Sequence, residues 1–167
     1  MYYLKSVSFV DLIWSKLKEF AAEGKPIWGT CAGCILLSNH VSSSLGGGSN
    51  DGTTTLSSVR AESLYGDTHI GGIDINTCRN FFGRQSKSFE ISTKSSNPGF
   101  DNFPALFIRA PAIVSASKEV EILGTIHYND EDVIVAVRQG NLLATCFHPE
   151  LTDDLRVHKF FISLVNK

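Results

Sequence analysis

Long apolar runs are missing from this 167-residue chain. None approaches the roughly 20 residues that cross a bilayer, so no membrane-spanning helix and no membrane partner are expected. Strong charge of either sign is missing too. A net charge of −2 and a pI near 6.2 give no electrostatic basis for holding nucleic acid. The whole chain has only four cysteines, too few for a disulfide scaffold. Cys78 and Cys146 stand singly, so the second CxxC pair of a zinc site is absent, and no metal or cofactor is expected. The N-terminus, Met1-Tyr2-Tyr3-Leu4-Lys5-Ser6-Val7, lacks the basic-then-apolar layout of a secretory leader. Internal repeats are lacking as well. These absences predict a cytoplasmic protein in a reducing compartment.

What is present suits one folded domain over residues 1–167. The chain is 43% hydrophobic with 11 phenylalanines, enough for a substantial core at this length. Val10, Ile13, Leu17, Phe20 and Ala21 recur at helical spacing and predict an amphipathic helix over Phe9–Glu23. Gly24 suits its C-terminal cap, and Pro26 prevents its resumption. Ile27-Trp28 reads as a short buried strand, and Gly33 to Asn39 as a helix packed on it. From Val41 to Asp67 core-forming residues are scarce, so this stretch reads as a flexible surface insertion. Strand candidates follow at His69–Ile75, Phe89–Thr93, Ala105–Arg109, Glu121–Ile126, Val133–Arg138 and Leu142–Phe147. Leu155–Val165 reads as a final helix, capped by Thr152 or Asp153. Strands flanked by helices at both ends predict an α/β fold.

The richest stretch is Gly29-Thr30-Cys31-Ala32-Gly33. Strand, tight turn of small residues, then helix is the layout of a nucleophile elbow. A cysteine lifted out on such a turn lies beside backbone N–H groups and the positive end of a helix. Both features are expected to favour the thiolate, the nucleophilic form.

His148-Pro149-Glu150 lies just past the strand Leu142–Phe147. Proline disfavours helix for His148, and residues two apart in an extended segment share a side. The Glu150 carboxylate is thus expected to accept the imidazole Nδ1–H, leaving Nε2 free to take a thiol proton. Taken singly, Cys31 suits a buried structural thiol and His-Pro-Glu a surface turn. Together, both at strand ends, they make a nucleophile, a base and an orienter.

A rival reading uses the same residues. Cys31-Ala32-Gly33-Cys34 is a CxxC at a strand-to-helix junction, as in thioredoxin-like redox proteins. It leaves His-Pro-Glu without a role. Two arginine segments, Arg79-Asn80-Phe81-Phe82-Gly83-Arg84-Gln85 and Ile108-Arg109-Ala110-Pro111, suit bidentate grip on an amino-acid carboxylate. Surface ion pairing is the simpler reading of any one of these arginines.

KPIWGTCAGCILLS, CRNFFGRQSKSFE, ALFIRAPAI and VIVAVRQGNLLATCFHPELTDD occur in that order. Together they resemble the glutaminase subunit of pyridoxal 5′-phosphate synthase, a family of triad glutamine amidotransferases. The resemblance runs from about Leu12 to the C-terminus, apart from the insertion. It implies a three-layer αβα sandwich. It also implies hydrolysis of L-glutamine to glutamate and ammonia, with the ammonia supplied to a partner synthase (lyase) subunit for vitamin B6 biosynthesis.

Carried over by motif, Cys31 is the nucleophile, His148 the general base and acid, and Glu150 its orienter. Ala32 gives an oxyanion N–H, while Arg79, Ile108 and Arg109 bind substrate. Cys34 stands where the family usually has an apolar residue. The family's PGGES-type loop has no counterpart, so a missing N-terminal strand–helix–strand unit is expected. That expectation adds an alternative: a catalytically impaired form that binds or regulates the synthase subunit.

Overall fold

The computed structural model describes residues 9–44, 56, 59–60, 69–79, 81–82 and 88–166. In chain order these form α1 (Phe9–Ala22), β1 (Ile27–Thr30), α2 (Ala32–Leu37), β2 (Ser38–Ser44), β3 (Val59–Arg60) and β4 (Ile73–Cys78). Then follow β5 (Phe89–Ser92), β6 (Pro104–Phe107), β7 (Ala112–Ala116), β8 (Glu121–Tyr128), β9 (Glu131–Gln139) and β10 (Leu142–Thr145). A 3₁₀ turn over Pro149–Leu151 and α3 (Arg156–Val165) complete the described chain.

Seven strands run in the order β1-β10-β9-β7-β4-β2-β3, β8 joins them along β9, and β5 and β6 form a separate pair. The sheet is mixed. β1 lies parallel to β10 and β2 parallel to β4, whereas β9 is antiparallel to β7, β8 and β10. β9 is the hub because its apolar residues Val133, Val135, Ala136 and Val137 are fully buried. Burial of such side chains supplies the main driving force for the fold.

Two neighbouring residues of β1 show how the layers stack. Successive strand side chains point to opposite faces. The α-carbon of Gly29 faces α2 so closely that a Cβ there would meet the Gly33 carbonyl oxygen at 2.4 Å. Trp28 faces the other way and packs on α3, 5.0 Å from the His158 ring and 5.6 Å from Phe161. Helices therefore cover both faces of the sheet at β1, the expected three-layer αβα arrangement.

Several boundaries differ from the sequence expectations. The helix after the elbow stops at Leu37, because Ser38 is extended (ψ 139) and its hydroxyl bonds the Cys34 carbonyl at 2.8 Å. Val41–Ser44, expected to begin the flexible insertion, instead continue β2, with Val41 and Ser42 buried. Pairing to β3 and β4 on its two edges makes this serine-rich segment a strand, an override of local propensity. Most of the remaining insertion lies outside the described residues.

β4 starts at Ile73 rather than His69, since Gly71 and Gly72 have φ of 70° and 106°, positions open to glycine and outside the strand region. β7, after Pro111, was not expected. The N-cap of α3 is Leu155 rather than Thr152 or Asp153, and the Asp154 carboxylate just before it accepts the Arg156 N–H at 3.0 Å. On α1 the expected helix is present, yet Ile13, Leu17 and Phe20 stay exposed while Ala21 packs on the core.

Candidate active site

Cys31 sits where β1 hands over to α2. Its N–H still donates to the Thr145 carbonyl at 2.8 Å, extending the β1–β10 ladder by one residue. Its φ of 48° and ψ of −105° then reverse the chain into the helix. A non-glycine residue in that region is strained, as an elbow requires. The turn stays tight because Gly29, with no Cβ, lets β1 touch the backbone of Gly33 on α2. The Cys34 N–H closes the first turn on the Cys31 carbonyl at 3.1 Å.

The Cys31 side chain is half-buried, and its sulfur lies 4.0 Å from the Ile108 carbonyl oxygen. Burial pushes its thiol pKa up, and the nearby Cys34 and Glu150 push the same way. The Ala32 N–H, directed at the sulfur, opposes them without prevailing. This corrects the expectation that the elbow alone favours a thiolate. Loss of water around the sulfur outweighs one backbone donor, so the resting group is a thiol and needs a base.

The candidate base is His148. The His148 imidazole Nδ1 lies 2.7 Å from the Glu150 Oε1. The pair does not meet along an extended segment, as expected, but across the turn that Pro149 opens. The Leu151 N–H bonds the His148 carbonyl at 3.2 Å, which curls Glu150 back onto the ring. A carboxylate on Nδ1 selects the tautomer with Nε2 unprotonated. The His148 N–H is anchored at 3.0 Å by the Leu106 carbonyl on β6. Two residues further, the same chain presents the Ile108 carbonyl to Cys31. The end of β6 thus touches both the His148 backbone and the Cys31 sulfur, backbone contacts that sequence reading missed and that no side-chain signal marks.

Ile108 and Arg109 are exposed beyond β6, and Arg109 adopts a left-handed φ of 48°. A bulky residue held there is strained, which turns the Ile108-Arg109 peptide out of the strand beside the sulfur. Arg79 is the exposed residue directly after β4, with its N–H bonded to the Ser42 carbonyl at 3.2 Å. Two residues before it, Thr77 reaches the sulfur of Cys34 on α2 at 4.0 Å. The structure thus gathers Cys31, Ala32, Ile108, His148 and Glu150, and ties the strand leading to Arg79 to the elbow helix. Arg84 and Gln85 lie outside the described residues.

Trp28 was also unmarked in the sequence. Its indole N–H donates to the Thr145 hydroxyl at 3.2 Å, linking the two strands that carry Cys31 and His148. Among the described residues no helix is long and apolar enough to cross a membrane.

Comparison with known proteins identifies the family. Residues 6–167 match the SNO glutamine amidotransferase family. Pyridoxal 5′-phosphate synthase subunit PdxT of Geobacillus thermodenitrificans is 44% identical over 151 residues, which are 90% of this chain and 64% of that protein. Probable pyridoxal 5′-phosphate synthase subunit pdx2 of Dictyostelium discoideum is 41% identical over 169 residues, 92% of this chain and 61% of its own length. The PdxT of Archaeoglobus fulgidus is 41% identical over 96% of this chain and 70% of its own. A crystal structure of a glutamine amidotransferase superposes with a TM-score of 0.68 at 32% identity, over 93% of this chain and 69% of that one. The chain spans just under two thirds of the first two of these relatives.

Proposed function

The chain belongs to the SNO glutamine amidotransferase family, and from that premise we propose that it is one cytoplasmic glutaminase domain. It hydrolyses L-glutamine to glutamate and ammonia and supplies the ammonia to a pyridoxal 5′-phosphate synthase subunit. The observation that carries this reading is the strained Cys31 elbow sharing one site with a His148 whose Nδ1 is held by Glu150 at 2.7 Å. The names of the PdxT and pdx2 relatives support the partner.

The chemistry is acyl transfer through a thioester. His148 Nε2 takes the proton of the Cys31 thiol as the sulfur attacks the side-chain amide carbon of glutamine. The carbonyl oxygen becomes an oxyanion, for which the Ala32 N–H is the donor on the nucleophile side. As the tetrahedral species collapses, the C–N bond breaks and His148 returns its proton to the leaving nitrogen, releasing ammonia. Water, deprotonated by the same imidazole, then attacks the thioester carbon. The C–S bond breaks, glutamate leaves and the Cys31 thiol is restored. Glu150 keeps the imidazole in place and stabilises its protonated form. Arg79 and Arg109 hold the α-carboxylate, the task for which a planar guanidinium is suited.

The test is ammonia release from glutamine by the purified chain with its synthase partner, beside Cys31→Ala. Release by the wild type but not by the variant is expected. No release from a folded wild-type chain bound to its partner overturns the proposal.

A further inference from the structure

Beneath Cys31 lie two cysteines that the glutaminase reading leaves without a role. Cys34, one turn along α2, and Cys146, just past β10, are both fully buried, with their sulfurs 3.9 Å apart. That is van der Waals contact. A disulfide would need the sulfurs to close by roughly 2 Å. Cys34 is also the third residue after Cys31, its N–H bonds the Cys31 carbonyl at 3.1 Å, and it is near enough to act electrostatically on the Cys31 thiol. The three sulfurs therefore lie in sequence: a half-buried one at the site, a buried one behind it, and a second buried one in contact with that.

We propose that Cys31, Cys34 and Cys146 form a thiol relay, in which an oxidising equivalent delivered to Cys31 by a hydroperoxide ends as a Cys34–Cys146 disulfide and Cys31 returns to its thiol. Only its consequence, protection of the reacting cysteine, rests on the glutaminase reading.

The steps balance. The Cys31 sulfur attacks the terminal peroxide oxygen, the O–O bond breaks, and Cys31 becomes a sulfenic acid while the peroxide leaves as alcohol or water. The Cys34 sulfur displaces the sulfenic hydroxyl as water, forming a Cys31–Cys34 disulfide. The Cys146 sulfur then attacks that of Cys34. The Cys31–Cys34 bond breaks, and Cys31 leaves with the electron pair and takes up the proton that Cys146 gives. In sum, two thiols and one hydroperoxide become one disulfide, one alcohol and one water.

The order follows from access. With no solvent exposure, Cys34 and Cys146 do not meet peroxide directly, so oxidation enters at Cys31. The final step is slow, because burial holds the Cys146 thiol protonated. The Cys31–Cys34 bond should therefore build first and give way later. Two packed thiols also suit a purely structural role as small hydrophobes. That role predicts no ordered transfer.

The experiment treats the whole chain with stoichiometric hydrogen peroxide and quenches samples over time by unfolding in N-ethylmaleimide. Disulfides are then mapped by mass spectrometry without reduction. A Cys34–Cys146 crosslink with alkylated Cys31 as the end product is the expected result. In Cys146→Ala the reaction should stop at Cys31–Cys34. In Cys34→Ala, Cys31 should pass to the sulfinic acid roughly tenfold faster than in the wild type. Accumulation of sulfinic Cys31 in the wild type, with Cys34 and Cys146 both alkylated, overturns the relay. So does a stable Cys31–Cys34 end product. The crosslinks are read without glutamine, so the relay and the glutaminase reading stand or fall separately.

Discussion

Across the turn opened by Pro149, the Glu150 carboxylate meets the Nδ1 of His148 at 2.7 Å while the imidazole stays largely shielded and Glu150 half-exposed. The relation predicts a particular split in kinetics. Glu150→Gln keeps the shape but cannot hold the ring as a carboxylate does. With the synthase partner present, kcat for glutamine should fall by roughly 10²–10⁴ and KM should change little. A large rise in KM at constant kcat would place Glu150 in substrate binding instead.

Cys31 should behave as a sluggish thiol in the resting protein. Its pKa is raised, chiefly by burial. Labelling of the Cys31 peptide by iodoacetamide should be slow at neutral pH and should still be climbing above the ordinary thiol pKa of about 8.5. A labelling rate that has levelled off by pH 7 would contradict this.

Stability carries the same sign. Cys31 and Cys146 both have folded pKa values above their unfolded ones, and Cys146 well above. Their contribution is complete below the unfolded thiol pKa and is lost as pH rises through the folded values. Melting temperature should therefore decline above about pH 9, and the decline should be shallower in Cys146→Ala. Thermal melts across alkaline pH would measure it.

Gly29→Ala tests the contact between β1 and α2. The added methyl would lie 2.4 Å from the Gly33 carbonyl oxygen and 2.9 Å from a Leu37 methyl. Backbone cannot yield as a flexible side chain does, so the substitution should cost about 1–3 kcal/mol or more. Gly33→Ala is the matched control, as its own Cβ meets nothing within 4 Å. Equal melting temperatures for the two variants would refute the close approach.

Arg156 fastens the start of α3. Its guanidinium donates to the carbonyls of Pro98, Asp101 and Asn102 at 2.7–3.2 Å and pairs with Asp154, whose pKa it lowers. Arg156→Ala should destabilise the chain by about 1–2 kcal/mol, discounted for partial exposure. Denaturant unfolding would show a lower midpoint with glutamine chemistry retained at temperatures below the transition.

The elbow and the His-Pro-Glu segment were legible in the sequence because each is local. A strand, a tight turn and a helix announce Cys31, and proline between His148 and Glu150 announces their meeting. β2 was illegible because Ser38-Asn39-His40-Val41-Ser42-Ser43-Ser44 has one apolar residue, and its strand form depends on neighbours distant in sequence. The role of the Leu106 and Ile108 carbonyls was hidden for a different reason: backbone contacts leave no side-chain signature. The charge state of Cys31 misled as well. A sequence shows the helix that favours a thiolate but not the burial that opposes it.

Trp28 and Gly29 give the elbow strand a handedness of use. One residue is a peg for α3 and the next a vacancy for α2, and the reactive turn follows two positions later. Length, more than composition, is the constraint on this segment. An insertion or deletion of one residue between Trp28 and Cys31 would leave every amino acid acceptable on its own. It would also trade the two faces, pressing a side chain into the Gly33 backbone or aiming the sulfur away from His148. Substitutions at Thr30 should be absorbed, while single-residue changes in spacing should not.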